Sequence, residues 1–354
     1  MQVTEGATAM RHKGSSYILA ILSILLSLSS CQTQKQELAL GEKALKQRSL
    51  PILLAQEDLL RDAAYPLLIA ASRHGEKTRT VWGVRFASVP LPFHNETQGD
   101  GFYNIVRYIH PDLPVAQSGL HVGDRVLAIN GKGVRKKTAA ELNRLVQKLS
   151  KTGSERLDIA VERDKKIVSF SVSPATIIDY KLELVDSPYI NAEANGVSIY
   201  VSREMVDYAG SKNALAAVVA HALAHNLSMD LADTIAKMAA KNHVRHHLPL
   251  SSFALDKGPF AEISKGYPES VEIAADRKAF QLLALAKMDL HEAAEFWKKL
   301  MNDFNRQDNR FLSTHTVTQN RMLEFEKSLS EIAPVETQSD PIISDLSEEN
   351  NYMS

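Results

Sequence analysis

Between residues 57 and 74 the apolar positions recur at helical spacing. Leu59, Leu60, Ala63 and Ala64 are followed by Leu67, Leu68 and Ala71, the 3.6-residue period of an amphipathic helix. Pro66 predicts a kink there and Gly75 a stop. From Thr80 the period falls to two. Residues 80–89 and 102–109 alternate as strands do, and a short apolar run at 126–129 sits between the turn dipeptides Gly123-Asp124 and Asn130-Gly131. Helical spacing returns at 138–150, where Thr138 and Glu141 have the spacing of a capping box. Residues 156–163 and 166–174 read as two more strands. Beyond residue 177 come two strand-like runs and a short helix. A nearly uniformly apolar helix then opens at 211, and strongly amphipathic stretches cover 269–289 and 291–304.

Composition bounds this picture without changing it. The 354 residues are 44% hydrophobic and 23% charged, with a formal net charge of -1. That is ample material for two or three domains and no electrostatic footprint for nucleic acid. The one cysteine, Cys31, excludes an internal disulfide and a cysteine-built zinc site. Its surroundings give it a different use. Arg11 and Lys13 precede an apolar run at 17–28 that is too short to span a bilayer, and the run reads as a signal peptide. Leu28-Ser29-Ser30-Cys31 resembles a bacterial lipobox, which implies lipidation of Cys31. The resemblance places the chain at the periplasmic face of a Gram-negative envelope, and Gln32 after the cysteine points to the outer membrane. Residues 32 to about 55 read as a polar tether. No Lys or Arg follows Lys327, and residues 333–354 read as a disordered acidic tail.

Residues 80–175 resemble a PDZ domain. Pro114, Ala116, Gly119-Leu120, Gly123-Asp124, the strand at 126–129 and Asn130-Gly131 follow one another in the order of bacterial examples. Such domains add an extended peptide to a sheet edge and hold its terminal carboxylate with backbone amides. The resemblance therefore implies capture of peptide or protein C-termini. Trp82, Gly83 and Val84 match the carboxylate loop of HtrA-type PDZ domains. Equally, Trp82 and Val84 have the character of core residues.

The candidate chemistry lies further on. His221 and His225 are four apart on the apolar helix, so both imidazoles face one side and can reach one ion. With 12 histidines in the chain, such a pair also arises by chance. His243 and His247 repeat the spacing, with His246 between them, and read as a solvated loop. Zinc needs a third protein ligand. Glu272 and Asp276 put two carboxylates on one apolar helix face, where Glu272 would meet a cation and Asp276 an imidazole N–H. The competing reading is a surface face paired with Arg277 and Lys278.

The ordered set is similar to the HtpX- and BepA-like zinc metallopeptidases, gluzincins of peptidase family M48. Asn191-Ala192 precedes an edge strand, residues 215–221 lead to the first histidine, and His225 follows. Glu272 opens the Glu-x-x-x-Asp segment, and Ser313-Thr314-His315 with Arg321 stands near the end. The resemblance covers residues 180–329. It implies Zn2+ held by His221, His225 and Glu272, Asp276 behind them, and His315 near the metal or an oxyanion. It further implies substrate lying along 197–201, and an N-terminal helix belonging to the same fold, with the PDZ unit inserted. Thr316 replaces the usual proline. Ala222 replaces the family's general-base glutamate.

The expected architecture is α+β, a mainly helical zincin-like domain at 176–332 with a small edge-strand sheet, plus a β-rich PDZ domain. Residues 1–31 are the expected signal peptide, and 32–79 the tether and first helix. The expected function is a membrane-anchored zinc metalloendopeptidase homologue on unfolded or envelope protein segments, impaired at Ala222. The alternatives are an active envelope quality-control protease and a PDZ adaptor without metal.

Overall fold

Helix α1, Leu50–Ala71, buries Leu60, Ala63, Ala64, Leu67, Leu68 and Ala71. These are the positions whose spacing marked a helix. It starts earlier than the pattern suggested, with Pro51 in its first turn, and runs through Pro66. The computed structural model describes residues 49–74, 77–90, 101–187, 189–228, 267–303, 315 and 318–332. Cys31 of the expected lipobox, the expected tether before residue 49, His243, His246, His247 and the expected tail after 332 lie outside the described residues.

After α1 the chain forms β1 (Thr78–Val81), β2 (Val84–Pro90), β3 (Phe102–Ile109), β4 (Arg125–Ile129), β5 (Lys132–Gly133), helix α2 (Ala139–Lys151), β6 (Leu157–Arg163) and β7 (Lys166–Val172). Strands β2-β3-β4-β6-β7 lie side by side in that order, with β5 paired to β4. The turn chemistry explains the path. Asn130 and Gly131 both take positive φ, 46° and 73°, so the chain reverses between β4 and β5 at residues that tolerate it. Asp124, at the preceding turn, accepts from His121 N at 2.8 Å and from Arg163 Nε at 2.7 Å. The Thr138–Glu141 capping box forms as its spacing predicted.

Strand β8 (Ala175–Ile178) pairs antiparallel with β1. The chain therefore leaves and re-enters at one place, a two-stranded ribbon beneath the six-stranded unit. Helix α1 then packs against elements far beyond that unit. These are α3 (Arg203–Ala209), α4 (Lys212–Leu227) and α5 (Glu269–Leu285). Helices α6 (Leu290–Asp303) and α7 (Gln319–Ile332) complete seven α-helices among the described residues. The fold is α+β.

A three-stranded sheet covers one side of α4. It comprises β9 (Lys181–Val185), β10 (Ala192–Ala194) and β11 (Ser198–Ser202), ordered β10-β11-β9. This corrects one expectation. Residues 197–201 were read as the edge that receives substrate, but β11 is the central strand, antiparallel to β10 and parallel to β9. Its backbone groups are taken on both sides. Among the described residues the outer strand of this sheet beside α4 is β10, directly after Asn191.

Candidate metal centre

Helix α4 is apolar around its whole circumference, and every residue from 214 to 226 is buried. A helix of that kind is stable only when surrounded. It is enclosed by α1, α3, α5, α6 and the small sheet. Ser211 caps it by accepting from Ala214 N at 3.2 Å. Two imidazoles on such a helix enter the interior together.

His221 and His225 turn their Nε2 atoms toward each other, 3.1 Å apart. Helix α5 crosses α4 and brings Glu272 onto both, with Oε2 3.4 Å from His221 Nε2 and Oε1 3.5 Å from His225 Nε2. Bonds of about 2.0–2.1 Å at tetrahedral angles would separate neighbouring ligand atoms by about 3.3–3.4 Å. The two ring nitrogens stand near that spacing from each other, and each stands near it from a different oxygen of Glu272. His315 adds a further ring nitrogen, and all four ligand atoms lie within 4.8 Å of one another. The Glu272 oxygens are buried and accept no well-aligned hydrogen bond among the described residues. The donor set, its spacing and its burial fit a metal ion.

The surrounding groups fix these side chains. His221 Nδ1 stands 2.9 Å from Asp276 Oδ1. Arg321 reaches in from α7, with Nε 2.7 Å and Nη2 2.8 Å from the two Asp276 oxygens and Nη1 2.7 Å from Glu272 Oε2. The reading of Glu272 and Asp276 as a surface face is thereby corrected. Both are buried, and Arg277 pairs instead with Glu324 at 2.5 Å.

The electrostatics follow from this geometry. Burial opposes charge on His221, but the contacts with Asp276 and Glu272 outweigh it and raise its pKa. Burial lowers His225, and it pushes His315 down to about 3 with His221, His225 and Arg321 acting in the same direction. Glu272 also meets the cost of burial, yet the imidazoles around it, His315 foremost, hold it well below the usual carboxylate range. A neutral His225 and an ionised Glu272 are the forms that bind a cation.

Ala222 follows His221 on α4 and is buried. Its methyl offers no proton-transfer group. Two neighbours escaped the sequence reading. The Tyr267 ring stacks on His225 at 4.4 Å and 18°, and burial, Glu272 and Glu193 push its phenol up to about 12. Trp297 of α6 sets its ring edge-on to His221 at 5.5 Å. Tyr267 lies in no periodic run, and Trp297 carried only the signal of an apolar helix position. Glu193 is the half-buried acid of β10 and accepts from Asn191 Nδ2 at 2.6 Å.

The PDZ-region residues are placed less simply. Trp82 and Val84 are buried core residues. Gly83 has φ +66°, and a Cβ there would lie 2.9 Å from Leu113 Cδ1, so only glycine fits. Its carbonyl accepts from His110 N at 2.8 Å. All three residues line a cleft of about 1330 Å³ between the six-stranded unit and β9.

Comparison with known proteins matches residues 156–328 to peptidase family M48 and residues 83–173 to a PDZ domain. Among solved structures, the HtrA3 PDZ domain bound to a phage-derived ligand is 20% identical, covering 28% of this chain and 89% of that one, at a TM-score of 0.22. The HtrA-type protease AlgW with decapeptide is 22% identical at a TM-score of 0.22, and the match spans 30% of this chain and 31% of AlgW. The EpsC PDZ domain from Vibrio cholerae is 21% identical over 26% of this chain and 94% of that one, at a TM-score of 0.19.

Proposed function

We propose that this chain, a peptidase family M48 homologue carrying a PDZ domain, is a lipid-anchored, zinc-binding peptidase homologue of the bacterial envelope whose hydrolytic step is impaired. The observation that carries the impairment is Ala222, buried beside His221 with no carboxylate of its own. His221, His225 and Glu272 would hold zinc, with Asp276 orienting His221. Bound there, zinc would polarise a peptide carbonyl and acidify a water. A glutamate at 222 would take the proton of the attacking water and hand it to the leaving amine. The methyl does neither, a loss of about 10²–10⁴ in rate. An extended substrate would lie along β10, the outer strand beside α4 among the described residues, while the PDZ unit presents a chain end. Lipidation at Cys31 would hold both units at the periplasmic face of the outer membrane.

The test is direct. Purified protein should carry one zinc per chain and cleave unfolded casein slowly or not at all, and Ala222→Glu should cleave it faster. Chelator-sensitive turnover by the unaltered chain at a rate matching that variant would overturn the impairment.

A second reading, a peptide-binding adaptor without metal, rests on Arg321. Its guanidinium pairs with both Glu272 and Asp276, so the buried acids already have a counter-charge. Absence of stoichiometric zinc from the purified chain would favour it.

A further inference from the structure

Strand β2 is the outer strand of the six-stranded sheet, and helix α2 lies along it. A peptide that joins the sheet as an extra strand must enter between them, because the outward backbone groups of β2 are its partners. Those groups are engaged at the centre of the strand. Phe86 N donates to Asn143 Oδ1 at 3.1 Å, and Asn143 Nδ2 donates to Phe86 O at 3.2 Å. One side-chain amide thus makes both hydrogen bonds that a peptide unit would make. The register of β2 on β3 shifts between Arg85 and Phe86, and a bulge of this kind re-aims backbone groups.

The seam is held on either side as well. Ala139 N, at the start of α2, donates to Ser88 Oγ at 2.8 Å. Near its other end Thr80 Oγ1 donates to Ser150 O at 2.9 Å. Toward Gly83 the seam opens onto the cleft, which Asn143, Val146, Gln147 and Ser150 line from α2. Trp82 lines the same cleft and keeps its indole Nε1 buried with no hydrogen-bond acceptor among the described residues.

We propose that Asn143 is a gate on the peptide groove. It occupies the Phe86 backbone in place of a ligand. A peptide with a free carboxylate can seat its last residue by the Gly83 turn, and must displace the Asn143 amide before the residues upstream can pair with β2. Binding is therefore a competition between the peptide backbone and a tethered amide of the same chemistry. This rests on the peptide-capture reading of the PDZ unit.

The experiment uses the full chain and two readouts. The first is amide hydrogen exchange at Phe86 without ligand. Asn143→Ala should speed it at least tenfold and leave the interior amides of α2 unchanged. Unchanged exchange at Phe86 overturns the gate whatever any peptide does. The second is affinity for a heptapeptide library randomised at its last four positions, in free-acid and amidated forms. Replacing an internal competitor by an open groove should tighten free-acid binding about tenfold or more, the worth of one to two neutral hydrogen bonds. Asn143→Asp keeps the acceptor for Phe86 N and loses the donor to Phe86 O. It should fall between the other two, and it serves if the alanine variant does not fold. Equal affinity across all three overturns the gate while peptide capture stands. No binding by any of them overturns the gate and the capture reading together.

Discussion

Nδ1 of His221 stands 2.9 Å from Oδ1 of Asp276, and this contact decides which face of the imidazole the cluster presents. With Nδ1 engaged, Nε2 points at His225 and Glu272. The carboxylate thereby acts on the ion site without touching it. Asp276→Asn should weaken zinc binding by about 10–100-fold, the range seen when such orienting partners are lost. Competition against a chromophoric chelator measures it. An unchanged zinc affinity would show that packing alone orients His221.

Arg321 is fully buried between Glu272 and Asp276. Removing one partner of a buried ion pair leaves an uncompensated charge, which costs about 3–5 kcal/mol. Arg321→Ala should lower the thermal midpoint accordingly. Added zinc should restore part of the loss in this variant more than in the parent chain, because the cation supplies charge where the guanidinium was. Melting curves with zinc and with chelator check both statements.

Ala222→Glu should raise the rate of casein cleavage by about 10²–10⁴ if proton transfer is the missing element. Glutamate at 222 in a chain that also carries His225→Ala should give no gain, since the ligand set is then broken. A gain that survives His225→Ala would place the activity outside this centre.

His110 joins the six-stranded unit to α1. It is fully buried, and its Nε2 donates to Arg61 O at 3.1 Å while Nδ1 accepts from Asp112 N at 3.1 Å. That pattern requires the neutral ring. Burial lowers its pKa, and the nearby Lys212 acts in the same sense. The hydrogen bond to Arg61 O, and the acids Asp62 and Asp112, oppose the shift. Unfolding frees the ring to protonate near its ordinary value of about 6.5. The unfolded chain then binds more protons than the folded one below that pH, so stability falls as the solution is acidified. The contribution is complete above about pH 6.5 and is lost below it. In urea titrations at pH 5.5 and 7.5, His110→Gln should show a smaller difference between the two midpoints than the parent chain. An unaltered difference would remove His110 as its source.

Much of the local structure was legible in the sequence because its causes are local. The capping box at Thr138 and Glu141 and the turn at Asn130-Gly131 are set by residues a few positions apart. The burial of α1 follows its 3.6-residue stripe, and that of α4 follows an apolar surface on every side. The histidine pair was visible too, but its spacing alone did not separate a metal helix from chance. The resemblance to a family did that.

Other features were not legible because their partners are distant and their sequence signals ordinary. Periodicity marks a strand but not its neighbours, so the central place of β11 became clear only from the pairing of β10 and β9. Tyr267 beside His225 belonged to no pattern.

The sequence by itself determined the helices, the strands, the turns and the histidine pair, since each depends on composition and on spacing within a few residues, while Glu272 and His315 joined that pair through the family resemblance. The tertiary structure alone decided how those groups are neutralised and which edges are open. Arg321 meets Asp276 across 45 positions, and Asn143 meets Phe86 across 57. Whether such side chains touch depends on how helices cross and sheets order themselves, and no local preference of the chain encodes that.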